Sequence, residues 1–135
     1  MKVIVCLDDD LGMTFNHRRQ SRDRVVIADI LRQTEGHVLY ISPFSQKLFE
    51  EGGEYTVSDK MLDIAGEGEY CFVENEALAE RVWDIEELVI YRWNRKYPAD
   101  RYFDIDIATE GFGLVESCEL EGYSHEKITK EIFRR

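Results

Sequence analysis

Short apolar runs, each closed by charge, glycine or proline, set the limits on what this chain can fold into. Val3 to Leu7 is unbroken and stops at Asp8-Asp9-Asp10-Leu11-Gly12; His37 to Ile41 stops at Ser42-Pro43; Glu69 to Val73 and Leu88 to Tyr91 are of the same kind. Runs of this length without polar alternation belong to strands covered on both faces, as in parallel sheets. The stretches between them carry a helical period. From Ser21 onward Val25, Val26, Ile27, Ile30 and Leu31 recur at helical spacing, with Ser21 or Asn16 as the expected N-terminal cap and Gly36 just past the end. Phe44 to Glu50 and Asp59 to Ala65 read as short helices around a brief edge strand at Tyr55 to Val57. Glu74 to Trp83 reads as a further helix, with Ala77, Leu78, Val82 and Trp83 on one face.

Strand and helix in alternation predict an α/β chain with a mostly parallel central sheet flanked by helices. Phe112 to Leu120 has strand propensity and ends near Gly122, which adds an antiparallel strand to that sheet. The tail fits two periods. Ile128 and Ile132 are four apart, as on a helix that Ser124 would cap, yet Ile128, Lys130 and Ile132 also alternate as a strand; the pattern on its own favours helix. No linker, repeat or low-complexity stretch divides the chain, so residues 1–135 are expected to form one domain.

Charge narrows the partners. With 28 Asp plus Glu against 17 Lys plus Arg the net charge is −11, and such a body repels polyanions unless its cations cluster, which disfavours nucleic acid. The apolar segment at Met1 to Leu7 is too short for a signal peptide, and no stretch approaches the roughly 18 apolar residues of a membrane span, so a cytoplasmic protein without a membrane partner is expected. Cys6, Cys71 and Cys118 are odd in number and contain no C-x-x-C, which points to small buried hydrophobes rather than a disulfide framework or zinc site.

Two clusters could carry chemistry. Asp8-Asp9-Asp10 stands where a parallel strand could present Mg²⁺ ligands, in the manner of receiver domains and haloacid dehalogenase-like phosphatases. The partner residues of both are missing, so the segment reads as a solvated acidic loop without a metal. His17-Arg18-Arg19-Gln20-Ser21-Arg22-Asp23-Arg24 packs four arginines into eight residues of an acidic chain, a grouping suited to carboxylates and phosphates. A solvated or internally ion-paired surface is favoured over a small-anion site. His17, His37 and His125 lack metal-site spacing, and neither a G-x-S-x-G elbow nor a G-x-x-x-x-G-K loop occurs. Trp83 and Trp93 read as packing residues rather than a stacking platform.

In their order and spacing the segments resemble dihydrofolate reductase over nearly the whole chain. Val3 to Met13 is similar to that family's first strand and the glycine-containing loop after it, with Asn16 near its loop asparagine; Val38 to Ile41 and Phe44 to Phe49 resemble the second strand and next helix. Cys71 to Leu78, Glu87 to Tyr91 with Tyr97 to Phe103, and Glu131 to Arg135 resemble the later strands. The resemblance implies a dihydrofolate reductase-like fold with an antiparallel C-terminal hairpin. It replaces the helical tail by a strand over Lys127 to Arg135, antiparallel to Gly113 to Glu121. It also places the family's catalytic acid on Asp23, if Arg18 stands for the family's tryptophan.

The departures bear on function. The Gly-Arg-x-Thr that grips dinucleotide phosphates stands here as Ile41-Ser42-Pro43-Phe44, and the paired glycines beside the pyrophosphate stand as Glu74-Asn75, with Glu76 adding charge. No cofactor-binding residue is therefore assigned. The expected function is binding of a small anionic ligand, or a regulatory role, with Asn16, Arg18, Arg19 and Arg22 as ligand-binding residues and Asp23 orienting a polar ring or amine. The alternative is a divergent NADPH-dependent reductase of a pterin or pyrimidine-like substrate in which Asp23 assists protonation. A third expectation is a homodimer joined through a sheet edge or the Tyr91 to Trp93 region.

Overall fold

A computed structural model describes residues Met1 to Arg135. The chain order is β1 (Lys2–Leu7), β2 (Gly12–Phe15), β3 (Arg18–Arg19), α1 (Arg24–Gln33), β4 (Leu39–Ile41), a 3-10 segment (Pro43–Phe49), β5 (Thr56–Val57), α2 (Met61–Ile64), β6 (Tyr70–Phe72), a second 3-10 segment (Ala79–Asp84), β7 (Glu87–Arg92), β8 (Arg101–Tyr102), β9 (Gly113–Leu120) and β10 (Ile128–Arg134). Seven strands form one sheet in the order β5-β4-β6-β1-β7-β10-β9. The pairs from β5 to β7 are parallel, and β10 runs antiparallel to both β7 and β9. This is the mostly parallel sheet with an antiparallel C-terminal hairpin that the apolar runs and the resemblance predict. No helix is long and apolar enough to cross a membrane.

β1 shows why its run lacks polar residues. It lies between β6 and β7, in register Val3↔Cys71 and Val3↔Leu88, and its alternate side chains enter two different cores. Val3, Val5 and Leu7 pack with Met61, Leu88 and Ile90 on one face, while Ile4 packs with Val26, Ile30, Phe72 and Val89 under α1 on the other. A period-two strand with apolar residues at every position from Val3 to Leu7 is the result.

The structure corrects several local expectations. α1 is capped by Asp23, whose carboxylate accepts the Val25 amide at 2.9 Å, not by Ser21 or Asn16. Asn16 and His17 both have positive φ, 52° and 60°, and form the tight turn of a β2–β3 hairpin. The helix expected over Glu74 to Trp83 shrinks to one 3-10 segment. Asp104 takes the Leu78 and Ala79 amides at 3.0 to 3.1 Å, and Trp83 lies 82% exposed while Leu78 and Val82 are buried. The tail is a strand, as the resemblance required: pairing of Ile132 with Val89 and Glu116 on either side decides between two periods its own sequence left open. Cys71 is buried as expected, but Cys6 is only partly covered and Cys118 is exposed on β9.

β2, β3 and β8 form a small second sheet that folds over the end of β1. Gly12 makes this possible. A Cβ there would meet Gln20 Nε2 at 2.6 Å, the Ala99 Cβ at 2.7 Å and Asp8 Oδ2 at 2.7 Å. Gly12→Ala is accordingly expected to cost about 1–3 kcal/mol by overpacking, read as a lowered urea midpoint with unchanged slope. An unaltered midpoint would mean that the small sheet lifts away at no cost.

Candidate functional site

Parallel strands β4, β6 and β1 open their carboxyl ends along one sheet edge, the place where α/β folds put ligands. What stands there is an internal anion. Glu74, just beyond β6 and 9% exposed, takes the Arg19 Nε–H at 2.5 Å and Nη2–H at 2.7 Å, and the buried Ser45 hydroxyl donates to it at 2.7 Å. Arg19 also donates to the Phe44 carbonyl at 3.2 Å and stacks on the Phe44 ring. Neighbouring Asn75 is occupied as well, accepting the Thr14 hydroxyl at 2.9 Å. Burial and then the Glu74 charge raise the Glu76 carboxyl above its ordinary range.

Asp8 is buried rather than solvated, which corrects the reading of the acidic loop. Its carboxylate accepts the amides of Asp10 at 2.8 Å and Gly12 at 2.7 Å, the Gln20 side chain at 3.0 Å and the Tyr97 amide at 3.3 Å. It ties the end of β1 to the loops around it. Asp9 and Asp10 are exposed as expected.

Asp23 holds the opposite wall together. Beyond the cap of α1, it accepts the amides of Tyr123 at 2.9 Å, Ser124 at 2.8 Å and His125 at 3.1 Å, and His125 Nδ1 lies 2.9 Å from its Oδ2. Burial alone would raise this carboxyl. The bonds from His125 and from the Tyr123, Ser124 and Val25 amides outweigh it and hold Asp23 far below the usual carboxylate range. Because the ionised carboxylate only accepts, Nδ1 carries a proton, and the other ring nitrogen, Nε2, faces the cleft. The Ser21 hydroxyl stands 2.9 Å from that atom and the Tyr97 hydroxyl 3.1 Å, while the imidazole stacks on Trp93 with centroids 4.5 Å apart.

These walls bound one cleft. Its inner part, about 20 Å³, is lined by Cys6, Met13, Ser21, Phe72 and Trp93. Arg22, Asp23, Ile27 and Leu48 continue into an outer groove of about 570 Å³ between α1 and the first 3-10 segment, lined also by Arg24, Lys47, Glu50 and Glu51. Desolvation, and next the Glu74 carboxylate, push the Cys6 thiol well above its ordinary value.

The expected ligand residues do not converge. Arg19 is neutralised by Glu74, Arg18 is exposed on the β2–β3 hairpin, and Asn16 is a turn residue whose amide donates to Asp100 at 3.0 Å. Arg22 alone of that set lines the cleft without an ion pair. Tyr91 and Trp93 are buried, at 0% and 4%. Sequence reasoning missed Ser21, Tyr97, Trp93 and His125 as site residues. His125 lies 102 positions from Asp23, and no local spacing announces such a contact.

No protein-family model matches this chain, and no curated protein matches it. Among solved structures it is similar to the dihydrofolate reductase from Enterococcus faecalis complexed with NADP(H) and RAB-propyl. The TM-score is 0.69, over 99% of this chain and 95% of that one, at 10% sequence identity. At that identity the likeness establishes a dihydrofolate reductase-like fold.

Proposed function

We propose that this chain is a ligand-binding or regulatory protein on a dihydrofolate reductase-like fold, that its cleft takes a small molecule bearing an anionic group, and that it does not reduce dihydrofolate. The Glu74 carboxylate, clasped by Arg19 and Ser45, carries the reading. It stands where the resemblance expects a bare glycine backbone beside a pyrophosphate, and there it excludes a phosphate both by its volume and by its charge. The other phosphate grip fails independently, because Pro43 opens the 3-10 segment without an amide hydrogen to offer. The residues present therefore do not fit NADPH.

The outer groove supports the positive half of the reading. Ile27, Leu31 and Leu48 offer a partly covered apolar wall, and Arg22, Arg24 and Lys47 stand at its rim. Arg24 lies 4.0 Å from the Tyr123 ring centroid, which holds it beside the opening. An aromatic carboxylate matches this combination, its ring on the wall and its charge on the guanidinium groups.

A thermal-shift titration tests the proposal. Aromatic mono- and dicarboxylates are expected to raise Tm by several degrees at about 100 times their Kd, and Arg22→Ala with Lys47→Ala to abolish the shift. NADPH and NADP are expected to give none. An NADPH shift of equal size would return the chain to the reductase reading, and flat titrations with every carboxylate would overturn the binding reading.

A further inference from the structure

The geometry points to a second capability at the base of the same cleft: Ser21, His125 and Asp23 form a nucleophile, base and carboxylate in series, able to transfer the acyl group of a small ester or thioester to water. Nothing in the dihydrofolate reductase-like fold requires such a set. Ser21 and Asp23 come from the segment before α1, His125 from the turn before β10, and the links of 2.9 Å from Ser21 Oγ to Nε2 and 2.9 Å from Nδ1 to Asp23 Oδ2 span the two imidazole nitrogens.

The surroundings have the gradient that nucleophilic catalysis needs. The Asp23 side chain is 0% exposed and that of His125 2% exposed, while Ser21 is half-buried and lines the cleft. A buried, ionised carboxylate fixes the imidazole tautomer with its basic nitrogen towards the hydroxyl. Further bonds lock this arrangement. The His125 amide and the Ser124 hydroxyl, at 3.1 and 3.2 Å, both donate to the same Asp23 oxygen, and the Trp93 ring lies 23° from parallel with the imidazole. The space beside Ser21, between Met13, Val26 and Phe72, is narrow, so an acyl chain would extend past Ile27 and Leu48 into the outer groove that these two residues also line.

The chemistry balances without a redox partner. Ser21 Oγ bonds to the acyl carbonyl carbon as its proton passes to His125 Nε2. The bond from that carbon to the alcohol or thiol breaks, and Nε2–H protonates the leaving group. Water then attacks the acyl-serine and gives one proton to Nε2. The carbon to Ser21 bond breaks, Oγ recovers the proton, and a carboxylic acid departs. Ser21 and His125 are the catalytic residues and Asp23 is a positioning residue. Tyr97, 3.1 Å from Nε2, competes with Ser21 for one lone pair and is not required.

The test uses a neutral alkyl fluorophosphonate and p-nitrophenyl acetate on the intact chain, neither of which needs the cationic rim. Failure of the anion-binding reading therefore leaves it standing. A single phosphonyl adduct on Ser21 by peptide mass is expected, together with p-nitrophenol release that falls at least about hundredfold in Ser21→Ala and His125→Gln. Ser21→Ala removes one half-buried hydroxyl and keeps its near-ultraviolet circular dichroism, so a lost signal in it is not lost fold. Asp23→Asn, read per folded molecule, is expected to lower kcat with KM unchanged. An unlabelled Ser21, or hydrolysis unaltered in Ser21→Ala, would overturn the proposal.

Discussion

Asp23→Ala is expected to unfold more of this protein than any other single polar substitution, at a cost of about 3–5 kcal/mol. The loss of the α1 cap accounts for about 1 kcal/mol of that. The larger part comes from the other side, where the buried amide of His125, the part-buried amides of Tyr123 and Ser124 and the His125 Nδ1–H would all face a methyl group. Urea unfolding followed by tryptophan fluorescence reads the cost, and Trp93 reports it locally because it stacks on His125. A cost below about 1 kcal/mol would mean that the turn before β10 is held by its flanking strands and owes nothing to the carboxylate.

The same group fixes an acid limit. The folded Asp23 carboxyl titrates far below its ordinary value of 3.8, so the unfolded chain binds the proton more tightly than the folded one. Its contribution to stability is complete above that ordinary value and is lost as pH falls from there towards the folded pKa. The urea midpoint of the parent should decline below about pH 4, with a shallower decline in Asp23→Asn. Parallel declines would assign the acid sensitivity to other carboxylates.

The strands were legible because burial on both faces leaves a mark in consecutive residues. Val3 to Leu7 and Leu88 to Tyr91 have no polar side to show, and each became a central strand in the register this implies. α1 was legible through its period. The tail was not, since Ile128 and Ile132 satisfy both a helix and a strand, and only β7 and β9 on its two sides choose between them. The helix expected after β6 was cut short by a contact no local pattern contains, the Asp104 carboxylate on the Leu78 and Ala79 amides.

The site divides in the same way. That Glu74 opposes phosphate follows from its charge alone, but that it disarms Arg19 does not, because the pair joins positions 55 apart. The arginine cluster therefore looked like a binding site when one of its members was already bound. Asp23 was singled out for a role towards a ligand, and the ring it orients belongs to the protein. Pairings across the β1 and β7 ends depend on sheet order, which sequence periodicity constrains only through strand count and crossover hand.

Glu74→Ala is the sharper experiment on the phosphate edge, because it should weaken the fold and create a site together. Removing the carboxylate leaves the half-buried Arg19 guanidinium and the buried Ser45 hydroxyl without their partner, at about 2–3 kcal/mol. The vacated space lies among donors already aimed at an anion. Inorganic phosphate at matched ionic strength should then raise the Tm of Glu74→Ala by several degrees, as ligands that bind only the folded state do, and leave the parent unmoved. Chloride at the same ionic strength screens charge without bridging Arg19 and Ser45, so it separates binding from screening. Equal responses of parent and variant would show that Glu74 does not occupy an anion site, and the case against a dinucleotide at this edge would then rest on Pro43 and Asn75 alone.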